Sequence, residues 1–154
     1  MGNDASHPPK SVSEDQMGDF NTEKLTRMVR ARGRPFQVLI VEDEQRVREV
    51  FRDICELTQA MEVELAADGA TAVEMVRSKK YDLITMDLIM PDMSGLDALV
   101  AIKETAPEVP VMIITGNATE KLVREAGVMG ACRVMYKPIM IEQFVDEVTS
   151  ALER

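Results

Sequence analysis

The chain has 154 residues and is 45% apolar, which is the size and composition of one globular domain with its own core. Its formal net charge of -9, with no stripe of lysine and arginine, disfavours direct binding to nucleic acid. The N-terminus lacks a basic start followed by an apolar run, and no stretch reaches the roughly 18 apolar residues that a membrane span needs. A cytoplasmic protein without membrane insertion is therefore predicted.

Residues 1–35 are predicted to form an N-terminal extension. Its first part, residues 1–18, holds prolines, serines and acids with few large apolar side chains, so we expect it to be disordered. His7, the one histidine of the sequence, lies in this part and has no neighbouring ligands for a metal cluster. A phosphoryl group carried on histidine would therefore have to come from another molecule.

The second part of the extension, residues 20–32, fits a short helix that ends before a glycine and a proline. Leu25, Met28 and Val29 have the spacing of one helical face. A solvated helical extension is the favoured interpretation. Docking of this helix onto the same domain or onto another protein is the alternative.

After residue 35 the pattern changes to short apolar runs that alternate with amphipathic segments, which is typical of βα units and a parallel sheet. The runs are continuous, as expected for strands covered on both faces. Five strands are predicted, at residues 36–41, 61–66, 81–86, 109–115 and 132–136.

The segments between and after these runs carry helical stripes of apolar residues. The clearest stripes are Val47, Val50, Phe51 and Ile54 in the first helix and Ile141, Phe144, Val145, Val148 and Leu152 in the last. Weaker stripes are Val73 and Val76, then Leu96 and Leu99, then Leu122, Val123 and Ala126. Because the last helix reaches the end of the sequence, no output domain is expected after it.

Reactive side chains follow four of the predicted strands. Glu42 and Asp43 come after the first strand, Asp87 after the third, Thr115 at the end of the fourth and Lys137 after the fifth. Ligands of open parallel sheets bind beyond the carboxyl ends of the strands. In a flavodoxin-like strand order 2-1-3-4-5 the first and third strands are neighbours, which would bring the acids together.

Three carboxylates brought together at this edge would repel one another by roughly 4 kcal/mol per close pair at an effective dielectric near 20. A hard cation that prefers oxygen would relieve this repulsion, and Mg²⁺ fits because it uses few carboxylates together with a substrate phosphate. Attack by Asp87 on phosphorus would add a phosphoryl group with a charge of about -1.5 to -2. Thr115 can donate a hydrogen bond to one of its oxygens, and Lys137 can pair with another. The sequence thus favours a magnesium-assisted phosphoryl acceptor over an enzyme that turns over a substrate.

Four motifs together resemble the bacterial response-regulator receiver domain over residues 36–154. They are Val41-Glu42-Asp43-Glu44, Met86-Asp87-Leu88-Ile89-Met90-Pro91-Asp92-Met93-Ser94-Gly95, Ile114-Thr115-Gly116 and Lys137-Pro138. The resemblance implies an α/β fold, a flavodoxin-like (βα)5 three-layer sandwich. It also implies that a histidine kinase or phosphotransfer protein supplies the phosphoryl group, and that modification changes affinity for a downstream protein partner.

The same resemblance implies the roles of individual residues. Asp87 would accept the phosphoryl group, and Mg²⁺ would be held by Asp43, Asp87 and the backbone carbonyl of Ile89, with Glu42 holding a metal-bound water. Thr115 and Lys137 would bind the phosphoryl oxygens. The Lys137-Pro138 peptide bond would be cis.

The sequence departs from the family at two positions. Glu42 stands where many members carry a second aspartate, and it keeps the charge. Val134 stands where the family often has a tyrosine or phenylalanine whose inward turn reports phosphorylation. Tyr136 shares a strand face with Val134 and could take over part of that role, although simple packing is the favoured interpretation.

Other conspicuous residues have structural interpretations. Met86, Met90 and Met112 are expected to fill the core. Cys55 and Cys132 are expected to be reduced thiols in apolar surroundings. Glu44, Asp92 and Asp97 suit turns and helix starts, and Arg77, Lys79 and Lys80 suit a solvated helix end, so we place all six outside the site.

Two other classes of function are alternatives. One is an adaptor with the receiver shape that signals by contact alone, through the helix at residues 25–29. The other is a phosphatase that passes through an aspartyl phosphate. Such enzymes place an acid two residues after the nucleophile, and Ile89 at that position cannot protonate a leaving group.

Overall fold

Five parallel strands form one sheet in the order β2-β1-β3-β4-β5 in the computed structural model, which describes residues 22–153. The strands are β1 Phe36–Val41, β2 Met61–Ala66, β3 Leu83–Met86, β4 Val111–Thr115 and β5 Arg133–Tyr136. The helices are α1 Glu23–Arg32, α2 Gln45–Leu57, α3 Gly69–Ser78, α4 Gly95–Thr105, α5 Glu120–Val128 and α6 Ile141–Leu152. The predicted flavodoxin-like fold is confirmed. The predicted disordered segment 1–18 and His7 lie outside the described residues.

The predicted strands all form, but β3, β4 and β5 begin one or two residues later than the apolar runs. Tyr81 and Val109 explain the difference for β3 and β4. Both are buried, yet they lie in the turns that lead into the strands. An apolar run therefore marks burial, and only part of it enters the hydrogen-bonded ladder.

The expectation that all five strands are covered on both faces is wrong for the two edge strands. Every residue of β3 and β4 is buried, whereas β2 and β5 each include exposed and half-buried residues. An edge strand has a neighbour on one side only and extends past the helices that cover the centre of the sheet. The apolar composition of the edge strands resembles that of the central strands, so the sequence pattern does not distinguish an edge strand from a central one.

Two cores lie on opposite faces of the sheet because neighbouring strand residues point to opposite sides. Val38 and Ile40 face a core closed by α2 and α6, which we call the α2/α6 core. Leu39 and Val41 face a second core closed by α3, α4 and α5. In the α2/α6 core the predicted stripes of the two helices meet, with the rings of Phe51 and Phe144 stacked at 4.8 Å between centroids.

Helix α1 docks onto this same domain, so the favoured interpretation of a solvated extension is wrong. Leu25 is fully buried in the α2/α6 core, with Met28 and Val29 packed against it. Arg32 donates to both carboxylate oxygens of Asp82, each at 3.3 Å, and lies over the ring of Phe36. The apolar face that could have bound another protein therefore packs against the α2/α6 core.

Replacement of Leu25 by alanine is expected to lower the free energy of unfolding by about 2 kcal/mol, the lower end for a buried leucine. The lower end applies because α1 precedes the βα units and can partly detach from them, which limits the loss. Urea denaturation followed by circular dichroism measures the change. Arg30→Ala, an exposed change on the same helix, is the control. Equal midpoints for the two variants would contradict the docking of α1.

The sulfur-containing residues follow the predictions with one exception. Met86 and Met112 are buried, and Met90 packs beside the second core, which α3, α4 and α5 close. Cys55 is buried, and burial raises the pKa of its thiol to about 12. Cys132 is exposed, contrary to the expectation, because it immediately precedes the half-covered edge strand β5.

Within residues 22–153, none of the helices combines the length and the apolar character required to cross a bilayer.

Candidate functional site

The sheet register brings the predicted site residues to one edge. Val41 pairs with Met86 across β1 and β3, so the residues that follow them, Glu42 and Asp87, lie at the same level. Thr115 ends β4 and pairs with Tyr136 of β5, directly before Lys137. Hydrogen bonds from the amides of Asp87 and Lys137 continue the ladder past the strand ends. The ends of four strands thus hold the side chains within contact of one another.

Asp87 is the centre of this arrangement. Its side chain is only 7% exposed, and Oδ1 accepts hydrogen bonds of 2.9 Å from the Thr115 hydroxyl and from the Ile89 amide. Oδ2 accepts a hydrogen bond of 2.8 Å from Lys137 Nζ. Both carboxylate oxygens are therefore fixed by three different elements, and the group cannot rotate freely.

Lys137 also donates to Glu42 Oε1 at 2.6 Å, so one ammonium bridges two buried carboxylates. Burial of Glu42 raises the pKa of its carboxyl, although Lys137 and the amide of Glu44 act against that shift. Burial disfavours the ammonium of Lys137, but Asp87 and Glu42 outweigh it and raise its pKa. Both side chains thus hold protons more tightly than free side chains do. For Glu42 the main cause is burial, and for Lys137 it is contact with the two carboxylates.

Glu42, Asp43 and Asp87 each present a carboxylate oxygen within 4.8 Å of the others. Hard oxygen donors at this spacing fit Mg²⁺, which commonly binds through one or two carboxylates and keeps several waters. Asp43 is exposed whereas the other two acids are buried, so the cluster opens to solvent on one side. Ile89 lies on the loop after β3 with its side chain 48% exposed, and the role of its carbonyl stays a prediction.

The loop that follows Asp87 is held by two features outside the predicted site. Gly95, at the start of α4, donates its amide to Leu88 O at 3.1 Å, so the helix lies directly against the backbone of the loop. Asp92 accepts hydrogen bonds from the amides of Gly69 and Ala70 at the start of α3. The interpretation of Asp92 as a helix-start residue outside the site is supported.

Arg48 makes a contact with the site that the sequence pattern does not predict. Its Nη1 donates to the backbone carbonyls of Glu42 at 2.8 Å and Asp43 at 3.1 Å. An isolated arginine on a helix is ordinarily a solvated residue, and its spacing from the acids carries no motif. Contact between its side chain and the loop appears only once the chain is folded.

The strand that leads to Lys137 carries Val134, one of the two positions where the sequence departs from the family, and Tyr136. Tyr136 is 53% exposed, so the interpretation of simple packing is wrong. Val134 is partly buried against the second core, which α3, α4 and α5 close. Whether Tyr136 reports phosphorylation stays a prediction. The Lys137-Pro138 peptide bond is cis, as the resemblance implied.

The sheet order, with the acids at its carboxyl edge, is that of the flavodoxin-like CheY fold. Residues 38–149 match the family model described as response regulator receiver domain. The chain belongs to this family, whose members act in two-component signalling. Receiver domains of the CheY type are phosphoryl acceptors that bind Mg²⁺ at an acidic pocket and interact with histidine kinases and downstream targets.

Similar proteins include the chemotaxis protein CheY of Treponema pallidum, 32% identical over 139 residues, which are 88% of this chain and 96% of that protein. The probable transcriptional regulatory protein TcrX of Mycobacterium tuberculosis is 33% identical over 82% of this chain. This chain spans about half of TcrX (54%) and 31% of a protein-glutamate methylesterase/protein-glutamine glutaminase of Anaeromyxobacter dehalogenans. The similarity to those two longer proteins is thus confined to part of each.

Solved structures show the same fold. A CheY-like receiver domain from Methanospirillum hungatei has a TM-score of 0.75 at 23% identity, over 77% of this chain and 94% of that one. Chemotaxis protein CheY4 of Vibrio cholerae has a TM-score of 0.71 at 25% identity, over 77% of this chain and 99% of that one.

Proposed function

We propose that this protein is a magnesium-dependent phosphoryl receiver in which Asp87 is the acceptor. The observation that carries the proposal is the buried Asp87 carboxylate, bonded by Thr115 and Lys137 and lying beside the acids at residues 42 and 43. A purely structural aspartate would not need two further carboxylates at its side, since their repulsion costs stability. A site that recruits a divalent ion and then a phosphoryl group does need them.

In the proposed reaction one carboxylate oxygen of Asp87 forms a bond to phosphorus. The bond from phosphorus to the nitrogen of a phosphohistidine breaks, and the donor imidazole keeps the electron pair. Lys137, already within hydrogen-bond distance of Oδ2, is placed to pair with the charge that appears on the phosphoryl oxygens. Thr115, which donates to Oδ1, is placed to donate to another of these oxygens.

Mg²⁺ would be held by Asp43, Asp87 and the Ile89 carbonyl, with Glu42 contributing through a water. When bound, the ion supplies positive charge against the acids and the equatorial phosphoryl oxygens. The chain itself contributes the fixed orientation of the nucleophile, since two neighbouring elements and the following loop bond its carboxylate.

A histidine kinase or phosphotransfer protein is the proposed donor, and a groove beside the site suits its approach. The groove has a volume of about 490 Å³ and runs between α2 and the loop after β5. Apolar side chains of Val47, Val50 and Ile139 line it next to Lys137. A partner helix with an exposed apolar face could therefore bring a phosphohistidine to Asp87.

For the output, we propose that Thr115 moves toward the phosphoryl group and reshapes residues 116–134, which changes affinity for a downstream protein. Such a population shift requires contacts that differ between the two states. The exposed ring of Tyr136 lies on the adjoining strand and is a candidate to change position with it.

The test is the mass of the intact protein after incubation with an acyl phosphate and Mg²⁺. We expect one added phosphoryl group on the native chain and none on Asp87→Asn, which keeps the shape and removes the nucleophilic charge. Asp97→Asn, a change at an exposed acid outside the site, is the control and should be modified like the native chain. No mass increase on the native chain, under conditions that modify another receiver domain, would refute the proposal.

A further inference from the structure

Arg48 holds the two backbone carbonyls of the acid pair that the proposed function assigns to the magnesium site. One guanidinium nitrogen donates to both, at 2.8 Å to Glu42 and 3.1 Å to Asp43. The backbone amide of Arg48 donates in turn to Glu44 at 3.0 Å, at the start of α2. The loop between β1 and α2 is therefore closed onto the first turn of the helix by this side chain.

The two acids depend on Arg48 to different degrees. Glu42 is also bonded through its amide to Ala66, and its carboxylate is bonded to Lys137 and to the amide of Glu44. For exposed Asp43, the contact with Arg48 is the single hydrogen bond present among the described residues. The position of the Asp43 carboxylate is thus set by the backbone that Arg48 holds.

Helix stability does not account for an arginine at this place. A cation in the first turn of a helix opposes the helix dipole, and the first turn of α2 contains no acid to compensate. The side chain instead lies across the loop, with its charge directed to carbonyl oxygens. This arrangement favours a role in ordering the loop over a role in forming the helix.

We propose that Arg48 is a positioning residue for the magnesium site, because it fixes the backbone from which Asp43 projects. The inference rests on the proposed function of the acid cluster. Residues that orient metal ligands through hydrogen bonds typically change metal affinity about 10- to 100-fold when they are replaced. The competing effect has the opposite sign, since removal of a cation beside three carboxylates strengthens cation binding.

The experiment measures Mg²⁺ affinity of the metal-free protein by isothermal titration calorimetry, without any phosphoryl donor. Arg48→Gln is expected to bind Mg²⁺ about ten-fold more weakly than the native chain. Arg48→Lys, which keeps the charge and some of the hydrogen bonding, is expected to lie between the two. Arg46→Gln removes the same charge from the same helical turn without touching the carbonyls, and it should bind Mg²⁺ at least as tightly as the native chain.

Urea midpoints measured in EDTA separate positioning from folding, and they should be the same for the native chain and Arg48→Gln. Equal or tighter Mg²⁺ binding by Arg48→Gln would overturn the inference and leave the proposed function intact. A lower urea midpoint that accounts for the weaker binding would also overturn it, since Arg48 would then be structural. Absence of Mg²⁺ binding by the native chain would overturn the proposed function itself.

Discussion

Replacement of Gly95 by alanine is expected to lower the free energy of unfolding by about 3 kcal/mol, the upper end for overpacking. A Cβ at this position would lie 2.4 Å from the Leu88 Cα, 2.6 Å from the Leu88 carbonyl oxygen and 2.7 Å from the Asp87 carbonyl oxygen. All three are backbone atoms that cannot turn aside. Either α4 moves away from the sheet or the loop after Asp87 shifts, and both changes disturb the acceptor.

The sign of this result distinguishes it from an ordinary helix substitution. Glycine to alanine inside a helix normally stabilises a protein by about 1 kcal/mol. Gly127 in α5 is the matched control, because nothing lies within 4 Å of the Cβ that it would acquire. Urea denaturation should show a loss for Gly95→Ala and no loss for Gly127→Ala. Equal stability of both variants would contradict the close approach of α4 to the strand end.

Replacement of Lys137 by methionine is expected to cost about 3 kcal/mol of unfolding free energy in EDTA, because a buried pair loses one partner. Methionine keeps the length of the stem but leaves the carboxylates of Asp87 and Glu42, both buried, without a cation. The loss should shrink as the pH falls, since burial raises the pKa of Glu42 and protonation of that carboxylate removes the repulsion between it and Asp87. Saturating Mg²⁺ should also restore part of the stability if the acids bind it.

Thermal unfolding of Lys137→Met with and without Mg²⁺ measures both effects. Lys121→Met is the control, because Lys121 is exposed on α5 and its charge lies outside the acid cluster. Its stability should not differ from that of the native chain. Unchanged stability of Lys137→Met would show that the bridging contacts of Lys137 contribute nothing to the fold.

The fold and the composition of the site could be predicted from the sequence because they rest on local patterns. Apolar runs separated by amphipathic stripes determine the βα units, and acids placed directly after the runs reach the carboxyl edge of any parallel sheet. The contacts of Thr115 and Lys137 with Asp87 follow from the same rule. The docking of α1 could not be predicted in this way, since one helical stripe is compatible with a solvated, a docked or a partner-bound helix.

The features that sequence reasoning missed depend on distances between elements that are far apart in the chain. Docking of Leu25 requires a gap in the α2/α6 core, and no local pattern describes a gap. The requirement for Gly95 arises from the approach of α4 to Leu88, which is a property of packing. Exposure of Cys132 and Tyr136 follows from the edge position of β5, which the apolar composition of that strand conceals.

The most direct measurement locates the phosphoryl group on the chain. After incubation with an acyl phosphate and Mg²⁺, borohydride converts an aspartyl phosphate to homoserine, and trypsin releases the peptide of residues 81–103 with four aspartates. Fragmentation of this peptide should place homoserine at residue 87 alone, and the product should be missing when EDTA replaces Mg²⁺. Homoserine at another aspartate, or at residue 87 to the same extent without Mg²⁺, would contradict a metal-assisted acceptor at Asp87.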